Sequence, residues 1–562
     1  MPKRIVFLCI SLAAWLFGTP AEGAEFHCAA GDVACLIDAI NQSNANGEAN
    51  TIHLEAGTYS LTSVADTADR GTGLPTILGS VAIKGAGADA TFIERAVGAP
   101  SFRLFRIDGA GKLQLSRVTA TGGSAQAFVS GGEIIGGGGI LSRGTLAISE
   151  SVIRANSGLF AAAIQILDGG LDLIDSRITG HKQNTTGILE VGGSGPSTGA
   201  PRIVNIIRSS ISGNVCCQGD LSGDVISISG AWTVTIRDSA VVGNGGLWMG
   251  AALVLGGGAT ITNTTITGNN AGIFGHPISA GAVTITNSTI TDHFGGLHGG
   301  PFRLQNTILS GNGLDGECRS QRSGVTGNVV SLGHNLFGKV VGEDCGNLLS
   351  TDRVLCTSFE CSAFQLIGAH LGPFIDSGRP GGVYVPLVAG SGAIDAGDST
   401  GCVENDQRGL ARGVDGNGDG IRGCDIGAVE FYPNVNDRLQ LTGLQYSFVK
   451  PSNLGFSDPR ASAGAFRITA SFRNVGPDIC HVAFDVPTLD GPAGTNPVLL
   501  TAVRELLGGQ GTAVPAAKAG AQPHLPSGSS QSYQFTIGVQ QRTPINFLVN
   551  ALGDATSGLC GQ

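Results

Sequence analysis

Residues 261–269 read ITNTTITGN and residues 285–293 read ITNSTITDH. The same device stands at 148–156 (ISESVIRAN), 173–181 (LIDSRITGH), 206–214 (IIRSSISGN), 236–244 (IRDSAVVGN) and 304–312 (LQNTILSGN), with LQLSRV from Leu113 as a shorter copy. Each copy runs from an apolar residue through two further positions to Ser or Thr, then to a second apolar residue followed three places later by Asn or His. Successive starts are 35, 25, 33, 30, 25, 24 and 19 residues apart, which averages 27. Self-similarity at that period marks stacked supersecondary units. One unit holds short alternating strands parted by Asn, Gly and Ser turns, and it is too short for a crossover helix. The economical solution is a parallel β-helix, each strand pairing with its equivalent in the next coil about 4.8 Å away. Asn156, Asn214, Asn244, Asn269 and Asn312 then fall at equivalent turns and form a ladder, with His181 and His293 as turn residues in place of Asn.

Composition agrees with an all-β class. Gly is 90 of 562 residues, or 16%, and charged residues are 14% of the chain, against ordinary values of about 7% and 25%. The net charge of −10 and the lack of a basic stripe argue against nucleic acid or an anionic membrane as partner. The N-terminus carries Lys3 and Arg4, an apolar run from Ile5 to Phe17, then Pro20 and the small residues Ala21, Gly23 and Ala24. Residues 1–24 therefore read as a secretory signal peptide cleaved near Ala21 to Ala24, too short to span a bilayer; no later segment is long and apolar enough to be transmembrane. The protein is expected outside the cytoplasm, whether extracellular, at the cell surface or in the periplasm.

With Cys9 removed in the signal peptide, 13 − 1 = 12 cysteines remain, and an exported chain is expected to pair them. Proximity suggests Cys28 with Cys35, Cys318 with Cys345, Cys356 with Cys361, Cys402 with Cys424 and Cys480 with Cys560, leaving the adjacent Cys216 and Cys217. Residues 25–60 contain ACLIDAINQSNAN, the one amphipathic helix pattern, followed by a first strand, and read as an N-terminal cap. The β-helix is assigned to 61–432. From 436 to 562 the repeat is gone, and six or seven strand-like runs between Pro/Gly-rich turns suggest an Ig-like β-sandwich.

Residues 331–430 carry SLGHNLFG from Ser331, LGPFIDSGRPGG from Leu371, SGAIDAGDSTGC from Ser391, NDQRGLAR from Asn405 and CDIGAVE from Cys424. This collinear string resembles the secreted bacterial choice-of-anchor Q domain proteins, and the CLIDAINQSNAN stretch resembles the CSLREA-type start found in them, with Leu-Ile-Asp for the usual Leu-Arg-Glu. The resemblance covers most of residues 28–430. It implies a right-handed parallel β-helix on an exported, surface-associated protein, and no shared reaction.

Residues 393–430 gather eight of the chain's 43 carboxylates and three arginines. Read structurally, AIDAGD and CDIGAVE are final coil segments, Arg408 and Arg412 pair with nearby acids, and Cys402 with Cys424 clamps the end. The DGNGDG stretch places Asp415, Asn417 and Asp419 at alternate positions before Gly420, as in the first half of a calcium loop; Asp425 stands beside Ile426, where an EF-hand has its bidentate Glu. Structural Ca²⁺ is thus a candidate cofactor, and a bare Asx-turn loop is the competing reading.

The third repeat position holds Leu115, Glu150, Asp175, Arg208, Asp238, Asn263, Asn287 and Asn306. In one reading this is an Asn ladder giving way to compensating surface charges. In the other, Glu150, Asp175, Arg208 and Asp238 line a lateral groove as acid, base and cation of a polysaccharide lyase or glycoside hydrolase. Trp232 and Trp248 near these coils would serve a sugar site. The segments that mark pectin-cleaving β-helix enzymes are missing, and aromatic content is only 6%, so stacking platforms are few. The sequence therefore favours a non-enzymatic adhesion or glycan-binding protein over a carbohydrate-active enzyme.

Overall fold

The computed structural model describes residues 23–130, 132–192, 202–215, 224–245, 250–275, 281–313, 316–319, 321–322, 325–326, 329–340, 345–357, 369–376, 380–454, 461–492, 495, 497–499 and 524–554. Residues 1–22 of the expected signal peptide, Cys216, Cys217, Trp248, Cys361 and Cys560 lie outside them. Among the described residues the chain is all-β apart from one helix of more than a single turn. It passes repeatedly through three long parallel sheets, of twelve, twelve and nine strands. The first sheet runs from Glu25–Cys28 to Val329–Ser331, the second from Gly57–Leu61 to Arg353–Cys356, and the third from Phe105–Ile107 to Cys318–Arg319.

The register explains the repeat. Ile236 pairs with Ile261, Ile261 with Ile285 and Ile285 with Leu304 in the first sheet. Val241, Ile266, Ile290 and Leu309 align in the second, and Ile226, Leu253, Ile273 and Leu297 in the third. Alternation sends these side chains inward, where all are buried in one continuous core, while Thr235, Thr260 and Thr284 face out. A one-residue slip in any coil would turn its core residues to solvent.

Two polar ladders run beside this core. At the corner between the first and second sheets, Ser176 Oγ accepts from the Ser151 amide, Ser209 Oγ from Ser176 and Ser239 Oγ from Ser209, each at 3.1 Å. Each of these residues is completely or almost completely buried. After the second sheet comes the expected Asn ladder. Asn214 Nδ2 donates to Asn244 Oδ1 and Asn244 Nδ2 to Asn269 Oδ1, both at 2.8 Å, while Asn214 N and Asn244 N donate to the same oxygens. His181 and His293 are rungs of it. The Asn156 amide donates to His181 Nδ1, so His181 Nε2 carries the proton and donates to the Ile153 carbonyl at 3.0 Å. Glu317 ends the row, its Oε2 accepting from Asn312 Nδ2, and burial pushes its carboxyl up to about 7.

At the N-terminal end, helix Val33–Asn46 is capped by Asp32, whose carboxylate accepts from the Cys35 amide, and ends at Gly47 in the left-handed conformation. It buries Leu36, Ala39 and Ile40 in the solenoid core, and a Cys28–Cys35 disulfide ties it to the first strand. Cys318–Cys345 and Cys402–Cys424 are also joined. Cys356 and Cys480 are disulfide-bonded as well, their expected partners falling outside the described residues.

Beyond Val435 the strands become antiparallel. Leu439–Val449, Gly464–Asn474, Ser530–Val539 and Val498–Leu499 make one sheet, and His524–Leu525, Ile479–Asp490 and Asn546–Asp554 another. They share a core of Ile468, Tyr533, Phe535, Ile537, Ile479 and Leu525. No helix among the described residues is long and apolar enough to cross a membrane.

Two outcomes test the ladder. Asn244→Ala strands the Asn214 amide and the Ile211 carbonyl in a buried row, and should cost about 3 kcal/mol, read as a lower denaturant midpoint. Burial holds the His181 imidazole down to about 4, so the unfolded chain takes up a proton that the folded chain refuses. Its stabilising effect is complete above about pH 6.5 and is lost as pH falls from there towards 4, by about 3 kcal/mol. His181→Asn, which keeps the rung, should flatten that part of the stability–pH curve.

Candidate functional site

The charged row sits at the corner where the first sheet hands over to the second. Glu150, Asp175, Arg208, Asp238, Asn263, Asn287 and Asn306 all have φ between 46° and 53°, so each is a single left-handed residue making the turn. Asn and Asp tolerate this conformation; Glu and Arg are strained in it. Leu115 does not belong to the row. It pairs with Ile148 and is buried in the core, and Arg117, with φ 58°, occupies the turn. The short first copy misled because its Ser116 aligns with Ser149, and Val118 stands where later coils carry Ser or Thr.

The structure brings Asp175, Arg208 and Asp238 onto successive coils. Arg208 grips Asp175 with both prongs, Nε to Oδ1 at 2.8 Å and Nη2 to Oδ2 at 2.7 Å, and both side chains are 41% exposed. Asp238 accepts from Asn263 Nδ2 at 3.1 Å and pairs with Arg237 at 2.9 Å; burial raises its pKa. Glu150 is exposed one coil before Asp175. Trp232 is buried in the core, with Arg202 over its ring, so it offers no sugar-stacking face.

AIDAGD (393–398) and CDIGAVE (424–430) are not final coil segments, as the sequence suggested: Gly397 and Cys424 form an isolated antiparallel bridge. Among the described residues, 380–430 contain no parallel strand and run back along the outer face of the second sheet. Asp376 meets Arg177, Val383 packs on Ala240 and Val242, and Gln407 Oε1 accepts from Thr265 Oγ1 at 2.6 Å. The Ala428 amide donates to Thr289 Oγ1, and Ala393, Ile394 and Ile426 cover Ile308 and Leu336. The same segment seals the later turns of the row. Asn263 donates to the Asn405 carbonyl, Asn287 to that of Gly401 and Asn306 to that of Asp398. An outer sheet face of small and apolar residues explains this: Ala240, Thr265, Thr289, Ile308 and Leu336 would otherwise be left to solvent.

Within this flank the charges are spent on one another. Asp406 is fully enclosed and receives Arg408 Nε and Nη2 at 2.8 and 2.6 Å, while the Arg408 guanidinium lies against the Tyr384 and Tyr432 rings. Glu430 accepts the Gly413, Val414 and Asp425 amides and faces Arg412 at 3.5 Å. Burial pushes Glu430 up to about 7 and, with Glu430 beside it, raises Asp425 well above the usual range.

In the DGNGDG loop, Asp415 takes the Gly418 and Gly420 amides, Asn417 the Asp419 amide and Asp419 the Ile421 amide. This is a chain of Asx turns. Asp425 is directed elsewhere, accepting the amides of Asp395 and Phe431. Asp415, Asp419 and Asp425 do not gather their ligand atoms. Among the described residues, the one group of three or more His, Cys, Asp and Glu side chains that does so is Glu25, His27 and His53.

Sequence reasoning missed a second charged centre. Arg106 and Arg143 both bind Asp69 Oδ2, at 2.9 and 2.7 Å, Arg106 also binds Asp108, and fully buried Arg103 donates to the Asp69, Gly136 and Gly137 carbonyls. These residues pin the 62–76 excursion to the third sheet and lie outside the repeat copies, so no period announced them. No protein-family model matches the chain, and no curated protein matches it.

A Cβ on Gly381, whose φ is 69°, would lie 2.6 Å from the Asp238 carbonyl oxygen. Gly381→Val should therefore detach the flank locally, at a cost of about 2 kcal/mol, seen as new protease cleavage near residue 381 with the solenoid's circular dichroism retained.

Proposed function

We propose that this is an exported, non-enzymatic β-helix protein that acts at the cell surface or in the extracellular or periplasmic space, in adhesion or glycan binding. The observation that carries the reading is the state of the charged row. Its cation is committed to a bidentate pair with Asp175, and its later turns lie under residues 398–405. A lyase needs a cation free for the uronate and a base free for the proton; here those groups neutralise each other. Disulfides and a stack of rigid coils suit a spacer in an oxidising compartment. In the same reading the coils are right-handed, as parallel crossovers almost always are, the C-terminal sheets form an Ig-like sandwich, and the chain is a relative of the choice-of-anchor Q proteins. Calcium at Asp415, Asn417 and Asp419 would act by stiffening the flank loop, and Asp425 would contribute only through Asp395.

The second reading, a polysaccharide lyase or glycoside hydrolase, keeps one supporting observation: Glu150, Asp175 and Arg208 stand uncovered on neighbouring coils. Release of reducing ends and of 235 nm absorbance from acidic and neutral polysaccharides, with calcium and with chelator, separates the two. The expected result is no release, retained binding to one glycan class on an array, and unaltered binding by Asp175→Asn. Turnover abolished by Glu150→Gln or Asp175→Asn would overturn the proposal. Glu150→Asn should at the same time raise stability by about 1 kcal/mol, because Asn accepts the left-handed turn that strains Glu.

A further inference from the structure

The geometry points to a transition-metal site at the N-terminal edge of the first sheet, formed by Glu25, His27 and His53 and suited to Zn²⁺ or its neighbours Cu²⁺ and Ni²⁺. Strands Glu25–Cys28 and Ala49–Leu54 pair in parallel with His27 directly opposite His53. The imidazoles therefore stack across one strand spacing, centroids 4.7 Å apart and planes 9° from parallel. Glu25, two residues before His27, projects from the same face, and its Oε2 lies 3.9 Å from His53 Nε2.

One ligand atom from each of the three lies within 4.8 Å of the others. Two donors on a tetrahedral zinc are separated by about 3.3 Å, given metal–ligand bonds near 2.0–2.1 Å, so small rotations of three surface side chains close the set. His53 Nε2 is itself enclosed and has no hydrogen-bond partner among the described residues. A buried nitrogen lone pair or N–H left in that condition is costly, and a metal bond relieves it. Two imidazoles and one carboxylate select borderline metals over Ca²⁺ or Mg²⁺, which take oxygen ligands. Three protein ligands leave a fourth position for water or for a donor on a bound partner. The support beneath is rigid: Cys28, next to His27, is disulfide-bonded to the capping helix. One feature opposes the ion, since Lys84 is paired with His53 on the third strand of the sheet.

Untagged full chain titrated with ZnCl₂ by calorimetry should bind one equivalent at this site, unaffected by excess CaCl₂. His27→Gln/His53→Gln should weaken that binding by about tenfold or more and abolish the zinc-induced rise in Tm, while the variant still unfolds cooperatively without metal, at a Tm no more than a few degrees from the parent's. Lys84→Gln should tighten binding by removing the neighbouring charge. Co²⁺ should give the visible bands of a four-coordinate ion in the parent alone. Equal zinc affinity and Tm response in parent and double variant, or no zinc binding up to about 100 µM, where even a weak site of about −5.5 kcal/mol would be half filled, would overturn the site.

Discussion

Everything in the solenoid depends on one corner. Between the first and second sheets the chain must turn a corner in a single residue, and it does so in the left-handed conformation coil after coil. The next residue then points its hydroxyl inward, where it accepts the amide of the coil before. A turn this tight leaves an amide facing the interior with no strand partner, and an unsatisfied buried amide costs about 1–3 kcal/mol. The Ser or Thr at the fourth repeat position answers that need. The Asn or His at the ninth position does the same at the far end of the second sheet. With both corners held, the Ile, Leu and Val positions between them have only one way to stack.

This division of labour frees the third position. Backbone geometry asks only that the residue survive a positive φ, so Asn, Asp, Glu and Arg all occur, and their side chains project outward. The chain uses the freedom in two ways. From Asn263 onwards the side chains bond the returning segment 398–405 and bring it into register with the coils. From Glu150 to Asp238 they face solvent or nearby polar side chains, and Arg208 stands between Asp175 and Asp238, offsetting the acids on either side of it. Position along the solenoid thus decides whether the same turn serves attachment or solvation.

The repeat was legible because stacking imposes identity: residues on adjacent coils share one environment and must meet it with similar side chains. Register, interior residues and the Asn ladder all follow from that. The reading slipped at Leu115, where Val118 replaces the usual hydroxyl and Ser116 offers a false match. For 380–430 it found the pairing of Arg408 and Arg412 with acids and the Cys402–Cys424 bridge but missed the path of the segment, which has no period because it meets the coils irregularly, through contacts such as Gln407 with Thr265 that lie 142 residues apart. Burial of Asp406, Asp425 and Glu430 is equally invisible from a sequence in which they look like solvated loop acids, and so is the approach of His27 to His53, a pairing made only by strand register.

The flank explains how a charge-poor protein tolerates eight acids in 38 residues. Removing carboxylates from water is unfavourable unless each finds donors, and most of these find backbone amides rather than arginines. Asp415, Asp425 and Glu430 each accept two or more N–H groups. Amides at fixed positions demand fixed carboxylates, so the Gly-rich turns that expose those amides and the acids that cap them define each other's place. An irregular segment without a sheet ladder acquires a single conformation in this way, and it can lie along a β-helix without competing for the strand edges. Its acids therefore have the same task as the Ser and Asn rows inside the coil: they supply the hydrogen-bond partners that a turning backbone cannot supply for itself.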